Sequence, residues 1–257
     1  MPNDAYSPEE WQLRCDLAAC FRLLAHYRMT DLIYTHATVR LPGTADRFLI
    51  NPLHLMFDEI TASSLLTVTQ DGEVVGGAPG VVNLAGFVIH GAIHAARPDV
   101  HCIVHTHTLA GCAIAALQEG LLPVNQMSLE FYGRVAYHDY EGIAYDLDER
   151  QRLVRDLGDR PVMILRNHGL LTLGRAVPQA FLRMYYLQKA CEIQLAAQST
   201  GRPLALPGEA VCRRTELQFR EPPVPDNASL VADADGAALA WNALLRLLDR
   251  TDPDYKS

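Results

Sequence analysis

The chain has 257 residues, of which 49% are apolar and 20% are charged, and its net charge is −8. This length and composition are typical of a globular α/β protein, and they exclude disordered, collagen-like and coiled-coil chains. No apolar run reaches the roughly 18–20 residues of a membrane span, and residues 1–7 lack the basic and apolar segments of a signal peptide. The negative charge argues against binding to nucleic acid or anionic membranes, so we expect neither as a partner.

The cysteines indicate a reducing compartment. They are spread along the chain without a CxxC pair, which fits neither a zinc knuckle nor a compact disulfide framework. We therefore expect buried free thiols and a cytoplasmic protein. The six residues are Cys15, Cys20, Cys102, Cys112, Cys191 and Cys212.

The first third of the chain is predicted to contain one helix and four strands. The helix begins at Pro8, which is a favoured residue for a first helical turn, and its apolar spacing continues to about Met29. Two short strands are expected over Tyr34–Arg40 and Arg47–Asn51. A hairpin over Leu66–Val75 follows them.

The middle of the chain is predicted to consist of longer helices and short buried strands. The helices are expected over Asn83–Ala96, Leu109–Gly120 and Pro178–Ser199. The strands are expected over Cys102–His105, Val162–Leu165 and Leu170–Leu173.

The composition changes after Gly201. Five prolines between positions 203 and 225 predict an extended stretch over Thr200–Asn227, and a terminal helix is expected over Val231–Leu248. We therefore predict one α/β domain over residues 1–200. Residues 201–257 are predicted to be an arm that packs on the same domain or on a neighbouring subunit.

Histidines give the first indication of chemistry, because seven of the ten lie between His90 and His168. His105 and His107 are two residues apart at the end of a predicted strand, so both imidazoles can face one ion. His168 follows another buried strand, and strand ends commonly carry the sites of α/β proteins. Gly169 allows a sharp turn there. The pattern indicates a metal site at these three histidines, with hydrogen-bonded core histidines as the alternative.

Other polar residues have competing interpretations. His90 and His94 are four residues apart on a predicted helix, a spacing that can chelate a metal. One partly buried and one solvated histidine is the commoner arrangement. Arg40, at the end of its strand, is expected either to bind a substrate anion or to form a surface salt bridge.

Several segments in series resemble the class II aldolase/adducin family. The resemblance covers about residues 10–200, and the segments that carry it are Phe48–Pro52, Val82–Phe87, His90–Asp99, Val104–His107 and Leu165–Leu170. It implies a three-layer α/β/α fold around a mainly antiparallel sheet, assembled as a homotetramer with sites at subunit interfaces. It also implies a divalent metal held by His105, His107 and His168. Zinc is expected first, with iron, manganese or nickel as alternatives.

The chain departs from the sugar-phosphate aldolases that it resembles. Gly86 stands where their metal-binding catalytic glutamate is expected, and His36 replaces an asparagine. Leu53-His54 replaces a Thr-Gly pair, and the hydroxyl residues that cradle phosphate are missing beside Asn83. These losses predict a small-molecule substrate without phosphate, for which Arg40, His36 and Asn83 are the expected binding residues.

Two hypotheses about function follow. The first is a metal-dependent carbon–carbon lyase, of aldolase or decarboxylase type, that acts on a hydroxy or keto acid or a hydroxy-aromatic carboxylate. The resemblance places Tyr137 near a proton-donating tyrosine of the aldolases, and Glu130 and Asp139 are the candidate catalytic carboxylates. The second is a non-catalytic binding module like the cytoskeletal adducin head. The complete set of three histidines favours the enzyme.

Overall fold

One mixed sheet of eight strands organises the described part of the chain. The structure is a computed structural model that describes residues 5–44, 46–142, 147–220 and 236–257. In chain order the strands are β1 His36–Arg40, β2 Arg47–Ile50, β3 Leu66–Thr69, β4 Val74–Gly77, β5 Cys102–Thr106, β6 Val135–His138, β7 Val162–Leu165 and β8 Gly169–Gly174. They lie in the order β4-β3-β2-β1-β5-β8-β7-β6. Every neighbouring pair is antiparallel except β6 and β7, which confirms the predicted α/β fold with a mainly antiparallel sheet.

Helices connect the strands and cover the sheet. Among the described residues the eight α-helices are α1 Pro8–His26, α2 Leu84–Ala96, α3 Leu109–Ala116, α4 Gln126–Leu129, α5 Leu147–Leu157, α6 Val177–Gln198, α7 Glu209–Arg220 and α8 Gly236–Thr251. The positions of α1, α2, α3 and α6 confirm the predicted helices, with ends that differ by a few residues. α1 begins as predicted because Ser7 accepts a hydrogen bond from the Glu10 N–H and Pro8 occupies the first turn.

The helices lie on both faces of the sheet. On β5, Cys102 and Val104 belong to an apolar cluster with residues of α1, α3 and α6, whereas Ile103 belongs to a second cluster with residues of α2 and α5. Neighbouring side chains of a strand point to opposite faces, so these clusters lie on opposite sides of the sheet. His105 therefore points to the face that α2 covers.

One predicted segment is wrong and several elements are absent from the sequence prediction. The extended stretch predicted over Thr200–Asn227 contains α7, which forms because the prolines lie before and after residues 209–220 and none lies within them. Residues 221–227 and the predicted start of the last helix lie outside the described residues. The elements β6 and α5 are not predicted, since β6 has only four residues and α5 has few apolar residues among many charged ones.

The end of the chain packs against α1. Arg22 on α1 is buried, and its guanidinium donates to the Ile60 carbonyl at 2.8 Å and forms an ion pair with Asp252 at 2.8 Å. The Trp241 indole on α8 donates to the Asp16 carboxylate on α1 at 3.3 Å. These contacts tie the C-terminal helix to the first helix of the same chain.

All six cysteines are free thiols, and every one except Cys112 is buried. Among the residues described, no helix is long and apolar enough to cross a membrane.

Replacing Arg22 tests the docking of the chain end. Arg22→Met should lower the free energy of unfolding by about 1–3 kcal/mol, because the buried Ile60 carbonyl loses its hydrogen-bond donor. Arg213→Met is the matched control, since Arg213 forms an exposed ion pair with Glu209 on α7 and should contribute little. Urea denaturation measures both variants. Equal effects of the two substitutions would contradict the assigned role of Arg22.

Candidate metal centre

Three histidines meet where β5 ends beside the turn between β7 and β8. The register places His105 opposite Leu171 of β8, and His107 follows directly after β5. His168 lies in the turn that precedes β8. The structure therefore brings together the three histidines predicted from the sequence. They are called the histidine triad below.

The turn that carries His168 depends on two neighbouring residues. Asn167 adopts a left-handed backbone with φ of 55°, a conformation that asparagine tolerates better than most residues. Gly169 is needed for a different reason, because a Cβ there would collide with the Thr106 carbonyl oxygen. The sharp turn is thus made at Asn167, and Gly169 permits the close approach of β5.

The Nε2 atoms of the triad converge. The His107 Nε2 lies 2.8 Å from the His105 Nε2 and 2.9 Å from the His168 Nε2. The His105 Nδ1 lies 2.9 Å from the Leu170 carbonyl oxygen, and the His107 Nδ1 lies 3.0 Å from the Asp31 carboxylate. Both of these oxygens accept hydrogen bonds, so each Nδ1 carries a proton. In the neutral rings, the two Nε2 lone pairs then face each other.

Two lone pairs at this distance repel unless a proton or a cation lies between them. Burial and the His168 and His107 imidazoles hold the pKa of His105 well below its usual value, and burial with His107 lowers the pKa of His168 to about 4. Extra protons on His105 and His168 are therefore disfavoured near neutral pH. Converging imidazole nitrogens are typical ligands of zinc and related divalent cations, and the triad fits such an ion.

Asp31 is a candidate functional residue that sequence reasoning misses. Its carboxylate accepts a hydrogen bond from the His107 Nδ1, an arrangement that orients a metal-binding imidazole. It lies in a loop in which Arg28, Leu32 and Thr35 have left-handed backbones, with φ of 57°, 49° and 68°. Since 76 residues separate Asp31 from His107 and no local motif surrounds it, only the fold reveals the pair.

His36 and Gly86 fit together beside the triad. The pairing of β1 with β5 places His36 opposite His105, with ring centroids 5.5 Å apart. A Cβ on Gly86 would lie less than 3.0 Å from three atoms of the His36 ring. The imidazole therefore fills the space into which a side chain at position 86 would project. Burial lowers the pKa of His36 to about 3, with the Gly86 backbone partly opposing the shift, so the ring is neutral.

His90 and His94 are both buried, so the expectation of one solvated histidine is wrong. The Thr38 hydroxyl lies 2.9 Å from the His90 Nδ1 and 2.9 Å from the His94 Nε2. Both rings point from α2 to the sheet, where the hydroxyl of Thr38 on β1 hydrogen-bonds to each of them. The pair is engaged with Thr38 instead of chelating an ion.

Arg40 and Asn83 have partners within the chain. Arg40 lies at the opposite end of β1 from His36, and its guanidinium donates to the His94 carbonyl at 2.6 Å. Asn83 caps α2 by accepting a hydrogen bond from the Gly86 N–H at 3.3 Å. Substrate contacts by these two residues stay predictions.

Tyr137 and Asp139 lie on or after the edge strand β6. Tyr137 packs with the apolar cluster on the sheet face opposite His105, and its hydroxyl accepts a hydrogen bond from the Leu121 N–H at 3.0 Å. Burial raises the pKa of that hydroxyl. Asp139 is exposed. Tyr137 and the triad therefore do not share one pocket within a single chain.

Glu130 lines a cleft at the other end of β8. The cleft has a volume of about 1260 Å³, and Gly174, Arg134 and Arg183 also line it. The triad lies at the Gly169 end of the same strand. Burial raises the pKa of Glu130 to about 7, although both arginines oppose the shift. The structure thus separates Glu130 from the triad of its own chain.

Comparison with known proteins identifies the family. The family described as "Class II Aldolase and Adducin N-terminal domain" matches residues 15–195. The structure of an aldolase II superfamily protein from Pseudomonas syringae is similar with a TM-score of 0.90 and 50% identity, covering 99% of this chain and 98% of that one. L-fuculose 1-phosphate aldolase from Glaciozyma antarctica PI12 is similar with a TM-score of 0.81 and 30% identity, covering 100% and 97% of the two chains.

A relative with a different name, an adducin, is also similar in sequence. Alpha-adducin of Rattus norvegicus is 41% identical over 260 residues, which cover 95% of this chain and 34% of the adducin. The chain belongs to the class II aldolase and adducin family, as its sequence motifs predict.

The contact between Asp31 and His107 makes a prediction about metal affinity. Asp31→Asn should weaken zinc binding by about 10–100-fold, because it removes the charge behind His107 while nearly preserving the shape of the side chain. Asp58→Asn, at an exposed carboxylate, is the control. A competition titration against a zinc-binding dye measures both affinities. If Asp31→Asn binds zinc as tightly as the control, the supporting role of Asp31 is wrong.

Proposed function

We propose that the protein is a metal-dependent carbon–carbon lyase whose substrate is a non-phosphorylated hydroxy or keto acid or a hydroxy-aromatic carboxylate. The observation that carries this proposal is the convergence of the three Nε2 atoms, with the Nδ1 protons of His105 and His107 committed elsewhere. When bound by the triad, a divalent cation supplies Lewis-acid polarisation of a substrate oxygen. Zinc is the first candidate, and iron, manganese and nickel are the alternatives.

The surroundings of the triad support this choice of substrate and reaction. Position 86 carries no side chain, and the neutral His36 ring fills the adjoining space. A cleavage that begins with proton removal depends on a positioned base. In decarboxylation the electron pair of the broken C–C bond stays on the substrate as carbon dioxide departs, so no base must first remove a proton. Decarboxylation is therefore the favoured reaction. Aldol cleavage needs a base from another part of the assembly.

Tyr137, Glu130 and Asp139 are the proposed catalytic groups, and we place them at the triad of a neighbouring subunit in a homotetramer. Support for an intersubunit arrangement comes from their positions, since Tyr137 and Glu130 lie away from the triad of their own chain. The carboxyl of Glu130, with a pKa of about 7, is suited to proton exchange near neutral pH. Arg40, His36 and Asn83 are the proposed substrate-binding residues, and the free thiols support a cytoplasmic protein.

The second candidate function is a non-catalytic binding module. The similarity to alpha-adducin over 95% of this chain favours it. The converging lone pairs favour the enzyme, because a module that binds only other proteins has no need of them. A module would be expected to fold equally well in EDTA and to carry substoichiometric metal.

Metal analysis tests the proposed role of the triad. Protein purified without chelator should contain about one divalent cation per chain, as expected for a single site with three imidazole ligands. The double variant His105→Ala/His107→Ala should contain none while keeping its circular dichroism spectrum. The control is His26→Ala/His101→Ala, which removes two exposed histidines. Full metal content in the triad variant would rule out the assigned site.

A substrate panel tests the reaction. It contains sugar phosphates, hydroxy-keto acids and hydroxy-aromatic carboxylates, each assayed with zinc, manganese and ferrous iron. Without a carboxylate at position 86, cleavage of sugar phosphates should be slower by roughly 10²–10⁴-fold than in an aldolase that has the base. Efficient cleavage of L-fuculose 1-phosphate would disprove the substrate proposal and favour the activity for which the Glaciozyma antarctica relative is named.

A further inference from the structure

A buried chain of polar side chains runs between α2 and the sheet toward the triad. It consists of His94, Thr38, His90 and His36, all of them buried, and it is called the histidine chain below. The His94 Nδ1 donates to the Val100 carbonyl at 3.3 Å, so the Nε2 of this ring is an acceptor. The Thr38 hydroxyl donates its proton to that Nε2 and accepts from the His90 Nδ1. The direction of every hydrogen bond in the histidine chain is therefore determined.

Within the histidine chain, Thr38 orients the His90 ring, and the His90 ring packs against the His36 ring. Since the His90 Nδ1 is the donor to Thr38, the His90 Nε2 is a lone pair, and it has no partner among the described residues. The centroids of the His90 and His36 rings lie 4.0 Å apart. Neither nitrogen of His36 has a well-aligned hydrogen-bond partner in the described part of the chain. Unpaired buried polar groups cost free energy, so His36 is suited to bind a polar atom of a ligand.

The location of His36 indicates where that ligand lies. Its ring stands between Gly86 of α2 and His105 of the triad. A ligand atom that reaches His36 is therefore next to the histidine triad.

The charges at the site select the class of ligand. An imidazole that binds a cation through its Nε2 lone pair brings no negative charge, and the carboxylate of Asp31 is bonded to His107 on the side away from the triad's Nε2 atoms. A divalent cation with neutral ligands attracts anions more strongly than one that already binds a carboxylate. An anion with two adjacent oxygens, such as a 2-oxo or 2-hydroxy carboxylate, would supply both the charge and the two donor atoms that such a cation attracts.

We propose that His36 hydrogen-bonds a chelating 2-oxo or 2-hydroxy carboxylate at the triad, and that Thr38 and His90 are positioning residues that hold His36 in place. Gly86 is required because its missing side chain makes room for the ring. This inference rests on the proposed function for the presence of the cation.

The test is titration of the zinc-loaded protein with oxalate, a two-oxygen anion, by isothermal titration calorimetry. Zinc content is measured first for each variant. His36→Ala and Thr38→Val should weaken oxalate binding by roughly 10–100-fold, the effect of losing one hydrogen bond to a charged group, while zinc content stays at the wild-type level. Thr38→Ser keeps the hydroxyl and should restore most of the oxalate affinity. His101→Ala, at an exposed histidine, is the control.

Gly86→Ala tests the same contact without removing a polar group. Alanine is normally the better residue within a helix, but here its Cβ would displace the His36 ring. The variant should therefore weaken oxalate binding as His36→Ala does. In the double variant His36→Ala/Gly86→Ala the two effects should not add, because both act through one imidazole.

The outcomes separate the two proposals. Unchanged oxalate affinity in zinc-loaded His36→Ala and Gly86→Ala overturns the role of His36 and leaves the lyase proposal standing. Wild-type protein that binds none of zinc, iron, manganese and nickel overturns both. If Thr38→Ser fails to restore the affinity that Thr38→Val loses, Thr38 is not a positioning residue.

Discussion

The hydrogen bonds made by two Nδ1 atoms determine where the Nε2 lone pairs of the triad point. His105 donates to a backbone carbonyl and His107 donates to the Asp31 carboxylate, so both rings turn their Nε2 lone pairs inward at 2.8 Å. Neither ring can reverse its tautomer without losing its partner, and burial disfavours an added proton on His105. A cation relieves this repulsion. The backbone of β8 and the loop that carries Asp31 thereby prepare the site for a metal.

The order of strands in the sheet decides which further residues reach the triad. β5 lies between β8, which bonds to His105, and β1, which places His36 opposite it. α2 then crosses the same face and presents Gly86 where the His36 ring needs space. A carboxylate at position 86 and an imidazole at position 36 would occupy the same volume. The chain has the imidazole, which leaves the site without a negative charge at that point.

The presence of an imidazole at position 36 in place of a carboxylate at position 86 bears on how aldolases and adducins share one fold. The sheet and the helices that cover it are shared among relatives with different names, so the fold alone does not define the activity. The chemistry depends on a few side chains around the end of β5. In this chain those side chains are imidazoles that hydrogen-bond to Thr38 and Asp31, and we propose that they serve an anionic oxygen ligand without a local carboxylate base.

The sequence by itself determined the features that depend on local patterns. Helical spacing predicted α1, α2 and α6, and Pro8 predicted where α1 begins. The i,i+2 spacing at a strand end predicted that His105 and His107 face one point. The identity of residue 86 already showed that no carboxylate stands there. The prediction of an extended stretch over Thr200–Asn227 is wrong, because its prolines lie before and after α7 and none lies within the helix.

Only the tertiary structure decided the contacts between residues far apart in the chain. Asp31 bonds to a histidine 76 residues away, and Thr38 bonds to His90 and His94 across 52 and 56 residues. The fit of His36 against Gly86 also depends on the order of strands and the crossing of α2. None of these contacts leaves a periodic or compositional signal, since each partner is an ordinary polar residue in its own segment. These contacts form only when the fold brings the separate segments together.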